Sequence, residues 1–112
     1  MNYVLRAITY LWISNEIDNN IFKARVYGNL LRLLSKINKL GLKEIDEISK
    51  HKNIGKKSIE KLMEYYKTGK ITVFENLTKN QISKIRKYLH AYKLLGFGKK
   101  EALEYSRNKN KE

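Results

Sequence analysis

The sequence predicts an all-α protein, a compact helical bundle, and two observations support this prediction. The 112 residues include no proline and only six glycines, most of which lie between apolar segments. Within those segments the apolar residues recur at spacings of three and four, which is the pattern of a helix with one buried face. A chain of this length forms one domain, or one domain with an arm, and its helices must pack their apolar faces together.

Five or six helices are expected, each placed by its apolar residues and by the turns beside it. Their expected ranges are 3–15, 21–38, 43–49, 56–67 and 79–95, with a further helix after residue 98. The Asp-Asn-Asn sequence at 18–20 is expected to form a turn and cap, and Thr78 to cap the helix that follows it. Segment 71–77 is ambiguous. Trp12 is expected to anchor the core, and Leu94 to lie on a buried face.

A turn and a helix at residues 51–70 form the part of the chain around which the rest is organised. Asn-Ile-Gly at 53–55 is expected to make a tight turn with positive φ, because glycine and asparagine accept that conformation. A helix over 56–67 follows, with Tyr66 on its apolar stripe, and Gly69 ends it. The turn opens onto the helix N-terminus, where free amides and the helix dipole attract an anion. Three lysines surround that end of the helix: Lys56, Lys57 and Lys61.

A second turn of the same kind lies 43 residues later, at Gly96-Phe97-Gly98-Lys99-Lys100. Its composition matches that of residues 53–57, so a second hairpin with a second phosphate site is expected near the C-terminus. One position differs in kind, because Lys61 of the first copy corresponds to Glu104 of the second. Chemistry that needs an amine is therefore expected in the first copy only.

The charge of the chain favours DNA as the partner. There are 24 lysines and arginines against 11 aspartates and glutamates, a formal net charge of +13, and such an excess is typical of nucleic-acid-binding proteins. The alternative is a solvated basic surface with no role. Cysteine is absent, which suits an intracellular protein, and two histidines alone cannot form a zinc site. The apolar segment 4–13 is short and contains Arg6, so no membrane span is expected.

Three stretches of the chain resemble the amino-terminal 8-kDa lyase domain of family X, beta-like DNA polymerases. They are Phe-Lys-Ala-Arg-Val-Tyr at 22–27, Asn-Ile-Gly-Lys-Lys-Ser-Ile-Glu-Lys at 53–61 and Thr-Gly-Lys at 68–70. The resemblance implies a helix-hairpin-helix fold, in which the second turn lies where that family has its second hairpin. A lone helix-hairpin-helix is also found in ligases, nucleases and recombination proteins, so the other stretches make the match more specific.

The resemblance extends over about residues 8–77 and implies a division of the chain at its end. Residues 1–77 would form the DNA-binding and lyase domain, and residues 78–112 the C-terminal helices with the second turn and a polar tail. Three positions depart from the family's pattern, which has arginine, glycine and lysine there: Gly28, Asn53 and Val73.

The resemblance also implies that Lys61 is the Schiff-base nucleophile that removes a 5′-deoxyribose phosphate from abasic DNA. An amine attacks an aldehyde only when it is unprotonated, and nearby cations such as Lys57 and Lys23, with the helix N-terminus, would disfavour the charged form. The family's pattern assigns the 5′-phosphate to Lys23, Tyr27 and Lys57, and stacking near the template base to Phe22.

A monovalent cation, Na⁺ or K⁺, is also implied by the resemblance, and no other cofactor is required. It would be coordinated by the backbone carbonyls of Ser49, His51 and Ile54. With the two turns included, the residues expected to bind DNA phosphates are Lys23, Tyr27, Asn53, Gly55, Lys56, Lys57, Gly96, Gly98, Lys99 and Lys100.

Two functions from different classes remain open. One is a deoxyribose-phosphate (abasic-site) lyase in base-excision or gap repair, and the other is a non-catalytic, sequence-independent DNA-binding accessory or packaging protein. A third reading, a ubiquitin-associated domain suggested by Leu-Gly-Phe at 95–97, conflicts with the basic charge. A polymerase palm is not expected, because the only two aspartates, Asp18 and Asp46, lie far apart. The chain is expected to be the amino-terminal part of a longer enzyme or a small protein that kept this module.

Overall fold

The computed structural model describes residues 2–96 and 98–107, and this part of the chain contains seven helices and no strand. The prediction of an all-α bundle is confirmed. In chain order the helices are α1 Asn2–Ile17, α2 Ile21–Leu34, α3 Leu42–Ser49, α4 Lys56–Thr68, α5 Thr72–Glu75, α6 Lys79–Lys93 and α7 Lys99–Arg107. The segment that was ambiguous in the sequence therefore contains a short helix, α5.

Two helices end earlier than their apolar pattern predicts. Helix α2 stops at Leu34 rather than near residue 38, and the hydroxyl of Ser35 donates to the carbonyl of Arg32 at 2.7 Å. Such a local side-chain bond competes with continued helix. Helix α6 stops at Lys93, which leaves Leu94 74% exposed. The expectation that Leu94 is buried was wrong, because the helix ends before this position can face the core.

The predicted helix boundaries at Thr78 and Gly69 are confirmed. Thr78 forms a capping box: its hydroxyl accepts from the amide of Gln81 at 3.1 Å, and its own amide donates to the Gln81 side chain at 2.8 Å. Gly69 adopts φ +79° and its amide donates to Tyr65, so it ends α4 in the left-handed conformation. Asn19 forms the expected turn with φ +62°, but Asn20 precedes α2 without a side-chain capping bond.

Helix α1 belongs to both of the hydrophobic clusters that form the core. Its N-terminal part packs with α2, α3 and α4 in the first cluster, and its C-terminal part packs with α6 and α7 in the second. The buried residues of the first cluster are Val4, Ala7, Ile8, Leu11, Leu30, Leu34, Leu40, Ile45, Ile48, Ile54, Leu62 and Ile71. Those of the second cluster are Ile13, Ile17, Ile85, Tyr88, Ala91 and Ala102.

Polar contacts fasten α7 to the C-terminal end of α1. The guanidinium of Arg107 donates to the carbonyls of Ile17 at 2.9 Å and Glu16 at 3.2 Å, which are among the last carbonyls of that helix. At the other end of α7, the Lys99 ammonium forms an ion pair with Glu16 at 2.8 Å. The C-terminal helix is therefore attached to the first helix at both of its ends.

Two aromatic residues differ from their expected place in the core. Trp12 is only half-buried and packs against the second cluster. Tyr66 is 47% exposed, so its assignment to the buried stripe of α4 was wrong.

The proposed division of the chain at residue 77 stays a prediction. None of the helices in the described part is long and apolar enough to cross a membrane.

Candidate functional site

A groove between the first turns of α2 and α4 brings together seven of the fifteen candidate site residues that the sequence singled out. We call it the first groove; its volume is about 620 Å³. Its lining comprises four lysines, three apolar residues, a tyrosine, a serine and a glycine: Lys23, Lys56, Lys57, Lys61, Phe22, Val26, Val73, Tyr27, Ser58 and Gly55. No carboxylate or imidazole is among these lining residues.

Helix α2 contributes one face of its first two turns. Phe22 and Lys23 lie in the first turn, and Val26 and Tyr27 follow at the spacing of four that brings side chains onto the same face. Phe22 is 78% exposed, an unusual position for a phenylalanine. Its ring is therefore accessible at the edge of a groove lined with lysines.

Helix α4 begins at the floor of this groove. Its first turn contains no acidic residue, and the first amides of a helix have no intrahelical acceptor. Gly55 precedes the helix with φ −88° and ψ 171°, an ordinary extended conformation. The expectation of positive φ in this turn was wrong for Gly55, and Asn53 is not among the residues with positive φ. The chain reverses instead through turns closed by bonds from His51 to Ile48 and from Ile54 to His51.

Lys61 differs from the other lysines of the groove in its surroundings. Its ammonium lies 5.7 Å from the centre of the Tyr27 ring and 3.5 Å from the Lys57 carbonyl. The first contact is a cation–π interaction that links α4 to α2. Lys61 is half-buried, whereas Lys56 and Lys57 are exposed. This side chain is thus held over the groove rather than extended into solvent.

The carboxylate of Glu64 lies one turn beyond Lys61, but it is bound elsewhere. It accepts hydrogen bonds from both the hydroxyl and the amide of Thr72, the latter at 3.1 Å. These bonds, and to a smaller extent the charge of Lys61, hold the pKa of Glu64 below its ordinary value. The carboxylate serves to join α4 to α5, and it does not line the first groove.

Gly28, which stands where the family that the sequence resembles has arginine, does not line the first groove. A Cβ built there would lie 3.6 Å from Nε1 of Trp12, so Gly28 packs against α1. Val73, in contrast, lines the groove at a position where the family has lysine. The departure at Gly28 is thus a feature of helix packing, and the departure at Val73 makes one wall of the groove apolar.

The carbonyls expected to hold a monovalent cation belong to Ser49, the last residue of α3, and to His51 and Ile54 in the turn between α3 and α4. The His51 carbonyl accepts the Ile54 amide at 3.2 Å and keeps a second lone pair. Backbone carbonyls are suitable ligands for Na⁺ or K⁺. A small hollow beside the turn is also lined by Arg32 and Lys52, whose charges oppose a cation. Within the described residues no cluster of acidic, histidine or cysteine side chains could hold a metal. The cation site stays a prediction.

The second turn differs from the first in its electrostatics. Lys99 is paired with Glu16, and the amide of Gly98 donates to the side chain of Glu101 at 3.3 Å. A carboxylate therefore already lies at the N-terminus of α7. Gly96 has φ +71°, and Phe97 lies outside the described residues. None of the four expected phosphate-binding residues here lines the first groove: Gly96, Gly98, Lys99 and Lys100.

A further basic groove lies between α6 and α7, and the sequence did not indicate it. We call it the second groove; its volume is about 530 Å³. It is lined by one face of α6 and by one residue of α7: Lys79, Ile82, Ser83, Arg86, Lys87, His90 and Tyr105. The helical spacing of the α6 residues was a usable signal, but the second wall depends on how α7 packs.

No protein-family model matches this sequence, and neither a curated protein nor a solved structure matches the chain. The function must therefore be inferred from the chemistry of the grooves.

Proposed function

We propose that the protein binds the sugar-phosphate backbone of DNA in the first groove, and that Lys61 acts there as a Schiff-base nucleophile on an abasic 5′-deoxyribose phosphate. One observation carries the proposal: four lysines, with no carboxylate among them, line a single groove at the first turns of two helices. Neither helix has an acidic residue in its first turn, so both helix dipoles present positive potential to the groove.

Phosphate is the anion that this arrangement fits. Lys56 and Lys57 lie at the N-terminus of α4, where backbone amides and ammonium groups can bind the same phosphate. Lys23 faces them from α2. The net charge of +13 adds a long-range attraction for a polyanion. Such contacts bind the backbone in the same way whatever the base sequence, so the binding is expected to be sequence-independent.

The apolar part of the groove favours a nucleotide over a free phosphate ion. Phe22 presents an exposed ring beside the lysines, and aromatic rings stack with unpaired bases. Val26 and Val73 add an apolar wall against which a sugar or base can pack. An abasic or gapped strand end, in which a phosphate adjoins an unpaired nucleotide, combines both requirements.

The proposed reaction uses the amine of Lys61 in its neutral form. Nζ attacks C1′ of the ring-opened sugar, water leaves, and an iminium forms between Nζ and C1′. A proton then passes from C2′ to water. The electron pair forms the C2′–C3′ double bond and breaks the C3′–O bond, so that the strand leaves with its 5′-phosphate. Hydrolysis of the iminium restores Lys61 and releases the unsaturated sugar.

One observation favours the non-catalytic alternative, a DNA-binding protein without lyase activity. The first groove is lined by no carboxylate or imidazole that could accept the C2′ proton. The reaction would then depend on water as the base. Binding and chemistry therefore need separate tests, with variants that affect only one of them.

Borohydride trapping on incised abasic DNA tests the chemistry. The unmodified protein should give a covalent adduct, and Lys61→Arg should abolish it with little loss of DNA affinity, because arginine keeps the charge but forms no Schiff base. Lys57→Ala is the matched variant: it should weaken binding yet still give an adduct at saturating DNA. If the unmodified protein gives no adduct while fully bound, the non-catalytic alternative holds.

Salt dependence tests the binding. Counterion release predicts that the logarithm of affinity for duplex DNA falls with the logarithm of salt concentration, with a slope of about −0.9 per phosphate neutralised. Unrelated duplexes of equal length should bind equally. An affinity that does not respond to salt would contradict backbone binding in this groove.

A further inference from the structure

The second groove carries cations on one continuous face of α6. Lys79, Arg86 and Lys87 are seven and eight residues apart, which places them on the same side of the helix and spreads them over about 12 Å of its axis. A strand that lies along α6 would therefore meet these cations with different phosphates. The second groove shares no lining residue with the first groove.

No carboxylate is among the residues that line this groove. The sequence from Asn76 to Lys100 contains seven lysines and arginines and no aspartate or glutamate. Within the described residues, the ion pairs involve neither Lys79 nor Arg86 nor Lys87. This face is therefore complementary to a polyanion.

Two rings form the part of the groove farthest from Lys79. His90 of α6 and Tyr105 of α7 have ring centres 6.4 Å apart and planes inclined by 31°. His90 is exposed and Tyr105 is half-buried. Rings beside cations are the combination with which proteins bind unpaired nucleotides, since bases stack on the rings while the phosphates contact lysine or arginine.

We propose that the second groove binds a single nucleic-acid strand, with its phosphates on Lys79, Arg86 and Lys87 and its bases against the rings of His90 and Tyr105. A duplex fits this site less well, because its bases are already stacked and cannot reach the rings. An acidic peptide would satisfy the cations but would leave the rings unused. The inference does not depend on the proposed function of the first groove, since each groove has its own residues.

The test measures binding of a fluorescent oligothymidylate by anisotropy. Arg86→Glu combined with Lys87→Glu should lower the affinity at least about tenfold and reduce the salt slope by about 1.4, since each single-strand phosphate contributes about 0.7. Lys93→Glu is the control: it reverses one charge on the same helix outside the groove, so its loss of affinity should be well below half of the logarithmic loss in the double variant. Equal losses per reversed charge would overturn the proposal, because only net charge would then matter.

An oligonucleotide of abasic spacers, with phosphates but no bases, tests the rings. The unmodified protein should bind it more weakly than oligothymidylate, and His90→Ala should remove that difference. If the spacer strand binds equally well, or a polyglutamate of the same charge competes equally well, a strand-binding groove is contradicted. An oligouridylate that binds as well as oligothymidylate supports the same chemistry with RNA as the source.

Two measurements keep the result interpretable. Circular dichroism checks that the helices persist, and if the double variant unfolds, Arg86→Ala replaces it, because Arg86 is exposed. Affinity for duplex DNA reports on the first groove in the same variants. A loss of oligothymidylate affinity that exceeds the loss of duplex affinity assigns the defect to the second groove, whereas Lys57→Glu should lower the duplex affinity more than the oligothymidylate affinity.

Discussion

The turns before α4 and α7 start from the same Gly-Lys-Lys sequence and end with opposite electrostatics. The residues that follow Gly-Lys-Lys differ between the two helices. Ser58 and Lys61 of α4 occupy the positions that Glu101 and Glu104 occupy in α7. Glu101 accepts a hydrogen bond from the amide of Gly98. The N-terminus of α4 therefore has no carboxylate of its own and is open to an anion, whereas the N-terminus of α7 is bound by the carboxylate of Glu101.

The neighbouring helix adds to this difference. Helix α2 brings Lys23 and Tyr27 to the first turn, whereas α1 brings Glu16 to the second, where it pairs with Lys99. The comparison shows that one turn sequence can have different electrostatic surroundings at two places in the same chain. The residues of the next helical turn and of the adjacent helix decide whether its amides and cations are available.

The largest expected effects are on the free energy of unfolding, and they come from substitutions in the two hydrophobic clusters of the core. Leu62→Ala in the first cluster and Ile85→Ala in the second should each lower the free energy of unfolding by about 2–5 kcal/mol, because both side chains are fully buried. Helix α1 packs in both clusters, so each variant should still unfold in one transition. Circular dichroism and Trp12 fluorescence check this, and two separate transitions would show that the halves fold independently.

A smaller effect is expected from the glycines of the two turns. Gly96→Ala should cost about 1–2 kcal/mol, because an alanine at φ +71° is strained. Gly55→Ala is the matched variant, with φ −88° and no atom within 4 Å of the added Cβ, so its stability should be unchanged or slightly raised. Urea unfolding measures both changes. An equal loss in both variants would mean that the two turns are conformationally alike.

The difference in electrostatics should appear in DNA affinity. Lys57→Ala should weaken duplex binding about tenfold and reduce the salt slope by about one, whereas Lys99→Ala should change binding much less, because Lys99 is paired with Glu16. Removing the two carboxylates by Glu16→Gln and Glu101→Gln should raise the affinity. If Lys57→Ala and Lys99→Ala weaken binding equally, the second turn is a phosphate site of the same kind.

The smallest expected effect is a dependence of stability on acid pH, which comes from the contact between α4 and α5. Hydrogen bonds from Thr72 lower the pKa of Glu64 from its ordinary value of 4.5, so its contribution to stability is present above that pH. It is lost as pH falls through the lowered pKa of the folded state. Glu64→Gln should make unfolding less dependent on pH in this range, as measured by urea titration. Thr72→Val removes the hydroxyl donor to Glu64 and should have part of the same effect, so an unchanged pH dependence in both variants would contradict this assignment.

The local sequence determined the helices and several of their ends. Apolar periodicity and the composition of the turns together located six of the seven helices, and Thr78 and Gly69 marked a start and an end that the structure confirms. These features depend on residues within one or two helical turns, so they can be predicted from short stretches. The misplaced Leu94 shows the limit, because periodicity alone does not tell where a helix stops.

The first groove was predicted only in part. Lys57 and Lys61 share one face of α4 by their spacing alone, but Lys23 and Tyr27 were associated with them through a family resemblance and not through any local pattern. The structure brings these residues to one groove because α2 and α4 pack in the same cluster. It also shows that Gly28 faces Trp12, which no spacing within α2 indicates.

The contacts between distant segments were decided only by the tertiary structure. The sequence did not indicate that Lys99 would pair with Glu16, that α1 would belong to two clusters, or that Tyr105 would complete a groove on α6. Each depends on the packing of helices far apart in the chain, and many packings satisfy the same apolar stripes. Local sequence therefore determined where the helices and cations lie along the chain, while helix packing determined which cations remain free to bind a partner.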